Sequence, residues 1–181
     1  MIELLRHFPD WVWLVPGLPL IALSVISARA LLGRTTGDAA EPLTARLSAL
    51  AALGSLLVLL AIDLLAVLDR PPGYRLLAQW FAGSGWQGSF SYLMDELSLS
   101  LATLVALIGW LVMRFSANYL HREAGFHRFF IILSFFLSGI QLVLLAGNGL
   151  LAFVGWEMCG MSSFLLIGYA WQRPVATGNA L

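Results

Sequence analysis

The chain has 181 residues, 60% of them hydrophobic and only 11% charged, where a soluble domain carries about 25% charge. Ten basic residues balance ten acidic ones, which argues against a nucleic-acid role, and the single cysteine, Cys159, excludes an internal disulfide framework. All ten basic residues are arginine, so any site that needs a lysine must receive it from elsewhere.

Five apolar segments follow one another. The first runs from Trp11 to Leu32 and carries Pro16 and Pro19 near its start, where helices tolerate proline best. It does not read as a signal peptide: "MIELLRHFPD" is not a cationic leader, and the apolar stretch is too long. The second runs from about Leu47 to Leu68. The third runs from about Leu97 to Ala117, the fourth from Phe129 to Ala146 and the fifth from Leu150 to Trp171. Each is about 20 residues, enough to cross a hydrocarbon core about 30 Å thick. The expected fold is therefore all-α, a polytopic transmembrane helix bundle of about five helices.

Two connections stand out. Residues 69–98 are rich in Gly, Pro and Ser and read as a loop with short extended pieces, whose Trp80, Trp86, Tyr74 and Tyr92 suit the headgroup layer. Asp95 or Ser98 suits the N-cap of the third helix. Between segments four and five only Gly147-Asn148-Gly149 remains, which demands a tight antiparallel turn. This divides the chain into residues 1–92, two helices plus an extracytoplasmic loop, and residues 93–181, helices three to five.

Arginine placement sets the expected orientation. Arg6, Arg70 and Arg75 fall on one side; Arg29, Arg34, Arg46, Arg114, Arg122, Arg128 and Arg173 fall on the other. Positive charge favours the cytoplasmic side, so the N-terminus is expected outside, in the periplasm of a bacterium, and the chain in the inner (cytoplasmic) membrane.

Two acids stand inside the apolar segments as drawn. Asp63 lies about two turns from the end of segment two and reads as a packing or interfacial residue. Glu157 lies near the middle of segment five, too deep for a short carboxylate to reach water. Its neighbours at helical spacing are Leu150, Phe153, Gly160, Met161 and Phe164, with a gap at Gly160. The adjoining flank, Ala152, Gly155, Cys159, Ser162 and Ser163, is a small-residue stripe that lets helices approach closely. Both flanks are expected to face protein. An acid so placed holds its proton in a low dielectric and releases it when a cation approaches; the alternative is a permanently protonated structural residue. In segment four, Ser134, Ser138 and Gln141 share one face and offer either a hydrophilic path or helix-to-helix bonding. His121 and His127 are candidates for proton passage at the cytoplasmic mouth, or ordinary interfacial residues. No nucleotide, metal or redox-cofactor motif is present.

The stretch "MDELSLSLATLVALIGWLVMRFSANYLHREAGFHRFF", followed by "LLAGNGLLAFVGWEMCGMSSFLLIGY", resembles the start of the antiporter-like subunit of respiratory complex I, bacterial subunit L or mitochondrial chain 5. The likeness runs from about Tyr92 to the C-terminus and is most specific at Gly155-Trp156-Glu157 and Leu165-Leu166-Ile167-Gly168. It implies a proton-translocating membrane subunit of an NADH–quinone oxidoreductase. Glu157 would be the proton-transfer residue, supported by Trp156, Gly160, Ser134, Ser138, Gln141 and His121. The family's matching glutamate pairs with a lysine on a later, broken helix. NAD, FMN, Fe–S clusters and quinone are expected in partner subunits and no cofactor in this chain. Its partners would be other membrane subunits and the lipid bilayer, and protons the transported species. Mrp-type cation/proton antiporters, membrane-bound hydrogenases and bicarbonate-uptake complexes use similar subunits, and a non-conducting scaffold is the reading from another class. The family's later helices are not in these 181 residues, so an N-terminal fragment that conducts nothing alone is expected. Gly147 and Gly149 replace larger residues of the family, which is expected to loosen the turn before segment five.

Overall fold

The computed structural model describes residues 8–35, 37–68, 73–83 and 86–170. Arg6, Arg70 and Arg173, used for the orientation, and the side chains of Trp80 and Trp86 lie outside the described residues. Five helices are long and apolar enough to cross a membrane: α1 (Leu14–Leu31), α2 (Glu41–Leu68), α3 (Glu96–Tyr119), α4 (Phe126–Leu144) and α5 (Gly149–Ile167). They match the five apolar segments, with α2 starting six residues earlier than its apolar run.

Helix α1 holds Pro19 in its interior. Proline has no N–H, so the carbonyl of Val15, four residues earlier, loses its helical donor. Ser55 Oγ of α2 donates to that carbonyl at 2.7 Å, and Ser138 Oγ of α4 donates to the next one, Pro16 O, at 2.7 Å. Ser55 thus fastens α2 to the carbonyl that Pro19 frees, and Ser138 ties α4 to the carbonyl beside it. Between α2 and α3, Thr103 Oγ1 donates to Asp63 Oδ2 at 2.6 Å, which gives Asp63 the packing role its position suggests.

Helix α4 is the centre of the bundle, with half of its apolar window buried against 17% for α5. It meets α5 through two glycines. A Cβ on Gly155 would lie 2.7 Å from the Gly139 carbonyl oxygen, and one on Gly139 only 2.8 Å from Met158 Cβ. The small-residue stripe of α5 therefore lets the two backbones touch.

Residues 69–98 are more regular than a loop. Strands β1 (Gly73–Gly83) and β2 (Trp86–Met94) pair antiparallel as a two-stranded hairpin with two register irregularities. Turn composition concealed them, although Ser89-Phe90-Ser91-Tyr92 alternates polar and apolar residues as strands do. Tyr92 and Met94 of β2 enter the core with Val12, Leu59, Leu99 and Leu145. Burial pushes the Tyr92 phenol up to about 12.

The turn between α4 and α5 is stitched to β2. Leu93 N–H donates to Leu145 O at 2.9 Å and Gly147 N–H to Ser91 O at 2.8 Å. A Cβ on Gly147 would meet the Ser91 carbonyl at 2.9 Å. Glycine here tightens the turn, contrary to the looser turn expected, because only a residue without a side chain lets the backbones approach so closely.

Candidate functional site

Glu157 is the ninth residue of the 19-residue α5, so it stands near the middle of a helix about 28 Å long. It is exposed, and makes no side-chain hydrogen bond or ion pair among the described residues. The cause is rotational. Gly155 faces α4, and two residues turn a helix by about 200°, which carries Glu157 to the opposite side. Leu151, Gly155 and Ser162 are buried against the bundle. Phe153 (60% exposed), Trp156 (69%), Met161 (60%) and Phe164 (48%) share the uncovered side with Glu157, and Gly160 has nothing within 4 Å of its Cβ position. The enclosure expected on both flanks is thus corrected: the stripe of small residues packs on α4, while the flank bearing Glu157 is open among the described residues.

The other polar candidates lie elsewhere. Ser134, Ser138 and Gln141 are fully buried and share one face of α4, where Ser138 bonds α1. Ser138 is a helix-to-helix bond. Ser134 Oγ and both amide atoms of Gln141 have no hydrogen-bond partner among the described residues. Helix α2 contributes a parallel row of Glu41, Thr44, Ser48 and Ser55, all buried at helical spacing. This interior row and Glu157 sit on different sides of the α4–α5 pair. Among the described residues, a path along α4 therefore does not pass Glu157.

His121 sits at the arginine-rich end of the bundle. Its Nδ1 is 2.7 Å from Glu41 Oε2, and Glu41 Oε1 also accepts the Arg122 N–H at 3.1 Å. Arg122 adopts φ 65° to present that N–H, and its Nε donates to Asp38 Oδ2 at 3.0 Å. One turn deeper, His127 Nδ1 lies 2.8 Å from Thr44 Oγ1. Glu41 escaped the sequence reading because it precedes the apolar run. "DAAEPLT" carries the signal that could have placed it: acids in a first turn, then a proline at an early helical position.

At the opposite end, two side chains serve as N-caps. Asp95 Oδ1 accepts from Ser98 N–H at 2.7 Å. That backbone bond holds the Asp95 carboxyl below its usual range. Asn148 Oδ1 accepts from Leu151 N–H at 2.8 Å, while its Nδ2 donates to Ser89 O and Ser91 Oγ, both at 2.7 Å. Asn148 thereby fixes the entry of α5, and with it the rotation of Glu157, to the hairpin. Among the described residues no cluster of His, Cys, Asp or Glu could hold a metal ion.

Comparison with known proteins gives a consistent set of relatives. Residues 80–130 match the family described as NADH-ubiquinone oxidoreductase (complex I), chain 5 N-terminus. The chain is 31% identical over 175 residues, 96% of its length, to NAD(P)H-quinone oxidoreductase subunit 5, chloroplastic, of Citrus sinensis. It is 30% identical over 173 residues, 95% of its length, to the protein of the same description from Ceratophyllum demersum. In each case it covers 23% of the relative, so the chain spans about a quarter of the length of the curated relatives it matches. These relatives are quinone oxidoreductase subunits, which does not favour the Mrp-type antiporter reading, and being chloroplastic they lend no support to a bacterial inner membrane. With five apolar spans, the chain is an integral membrane protein related to the N-terminal region of the complex I chain 5 family.

Proposed function

We propose that this chain forms the first membrane helices of a chain 5 type, proton-translocating subunit of a quinone oxidoreductase, with Glu157 as its proton-transfer residue. The observation that carries the proposal is the position of Glu157: mid-depth in α5, on a side that none of the described residues covers. Left in lipid, an ionised carboxylate at that depth costs about 3 kcal/mol or more. Covered by a cation-bearing helix, the same charge is offset.

That contrast is the mechanism. When the cation stands close, Glu157 is stabilised as the carboxylate and gives up its proton. When the cation withdraws, the low dielectric favours the neutral acid, and Glu157 takes a proton back. No lysine exists in this chain, and Glu157 pairs with none of the described arginines, so the cation is supplied by another segment or subunit. Trp156 and Gly160 flank the carboxylate, one bulky and one absent, and shape the approach of that partner. The redox chemistry, with NAD, FMN, Fe–S clusters and quinone, belongs to partner subunits. The N-terminus lies on the outer side, following the arginine asymmetry.

The test is Glu157→Gln in the intact complex. The substitution keeps size and hydrogen bonding but removes the exchangeable charge. Protons moved per quinone reduced should fall severalfold while subunit assembly is retained. Unchanged stoichiometry would mean that α5 is a scaffold.

A further inference from the structure

We infer that a cleft at the arginine-rich end of the bundle, between α2 and α3, binds the phosphate headgroup of an anionic membrane lipid. The cleft is about 470 Å³ and is flanked by Arg46 of α2 and Arg114 of α3, with Asn118 beside them and the bonded Glu41–His121 pair at its polar end. Ala45, Ala49 and Met113 supply an apolar floor.

Four observations point to this occupant. First, both arginines are exposed, and neither forms a hydrogen bond or ion pair among the described residues. Of the three acids at this end, Glu41 and Asp38 are engaged with His121 and Arg122, and Glu123, in the α3–α4 connection, is not part of the cleft lining. Second, the arginines match in depth. Arg46 lies five residues inside the start of α2 and Arg114 five residues before the end of α3, each about 7.5 Å in. That is the zone where an arginine stem lies along apolar surface and its guanidinium reaches the headgroups. Third, guanidinium binds phosphate by paired N–H donors and, being always charged, keeps that preference at any physiological pH. Fourth, the surface beneath each arginine is apolar and open. Leu50 (63% exposed) and Leu57 (57%) continue the Arg46 face, and Leu107 (40%) and Leu111 (52%) the Arg114 face. Cationic above and apolar below is the complement of an anionic amphiphile, whereas a soluble anion would use only the upper half. Glu157 is not part of this cleft, and the lipid assignment does not rest on its role in proton transfer.

Native mass spectrometry of the detergent-purified protein tests it. The protein is titrated with phosphatidylglycerol, with phosphatidylcholine of the same acyl chains, and with inorganic phosphate. Wild-type protein should retain one phosphatidylglycerol about tenfold more strongly than phosphatidylcholine. Inorganic phosphate at the same concentration should not displace it. R46Q/R114Q should lose the preference, R46K/R114K should keep part of it, and R34Q, at the same end but outside the cleft, should keep all of it. A second measurement needs no variant: a phosphatidylglycerol with a photoreactive group on its acyl chain should label peptides containing Leu50 or Leu57. Equal retention of the two lipids, an unchanged preference in R46Q/R114Q, displacement by phosphate alone, or labelling confined to other helices would each overturn the assignment. So would cross-links from Arg46 positions to a neighbouring protein's acidic segment in the native membrane.

Discussion

Replacing Asn148 separates two jobs that one side chain performs. Its Oδ1 caps α5 through Leu151 N–H, and its Nδ2 holds the hairpin through Ser89 O and Ser91 Oγ. Losing the cap costs about 1 kcal/mol. Losing two partly buried donor bonds costs about 1 kcal/mol each, with Ser89 O and Ser91 Oγ left short of a partner. Asn148→Ala should therefore destabilise the protein by roughly 2–4 kcal/mol. Asn148→Ser keeps a capping oxygen and should lose about 1–2 kcal/mol. Asn148→Asp keeps the cap but turns a donor into an acceptor facing Ser89 O, so it should fall nearer to alanine than to serine. The assay is thermal unfolding of the purified protein in one detergent, paired with hydrogen exchange at Leu151 and in β2. In the alanine variant both regions should exchange faster; in the serine variant mainly β2 should. Equal stability of the alanine and serine variants would refute the division of labour. An alanine variant as stable as wild type would refute the anchor itself.

Gly155→Ala places a methyl 2.7 Å from the Gly139 carbonyl, a backbone atom that cannot step aside. The expected cost is about 1–3 kcal/mol with loosened α4–α5 packing, read by the same thermal assay; Gly160→Ala, which meets nothing, should be nearly silent. Glu41→Ala leaves the Arg122 N–H and His121 without their acceptor and should cost about 1–3 kcal/mol, whereas Glu41→Gln should cost less; equal losses would contradict the bonding described. Asp95 has its folded pKa lowered by the Ser98 N–H. Its contribution to the start of α3 is thus present above the ordinary carboxylate range and lost as pH falls through the folded value. Acidification should therefore speed hydrogen exchange at Ser98 and Leu99 in wild type but not in Asp95→Asn.

The helices were legible because lipid imposes one rule: about twenty apolar residues, with every backbone group bonded internally. Five segments obey it, and polar residues at their ends mark the turns. The hairpin was less legible, since Gly and Ser in "WFAGSGWQGSF" speak for turns while its pairing with the α4–α5 connection is non-local. Asn148 illustrates the same limit: a cap can be read locally, a bond to Ser89 cannot. Glu157 stood out because its local surroundings are so apolar. Which way it faces did not, because two flanks of α5 looked equally protein-like; only the contact of Gly155 with Gly139 decides between them. Glu41 was hidden for the opposite reason, lying beyond the apolar run and gaining its burial from His121 and Arg122, about eighty residues away in the chain.

The central claim is that the open side of α5 is a protein interface bearing a cation, because a mid-depth carboxylate is too costly to leave in lipid. A photo-crosslinking amino acid in place of Phe153, one turn from Glu157 and 60% exposed in this chain, tests it directly in the native membrane. The adduct should be a membrane-embedded segment carrying lysine or arginine. Adducts formed only with phospholipid would contradict the claim.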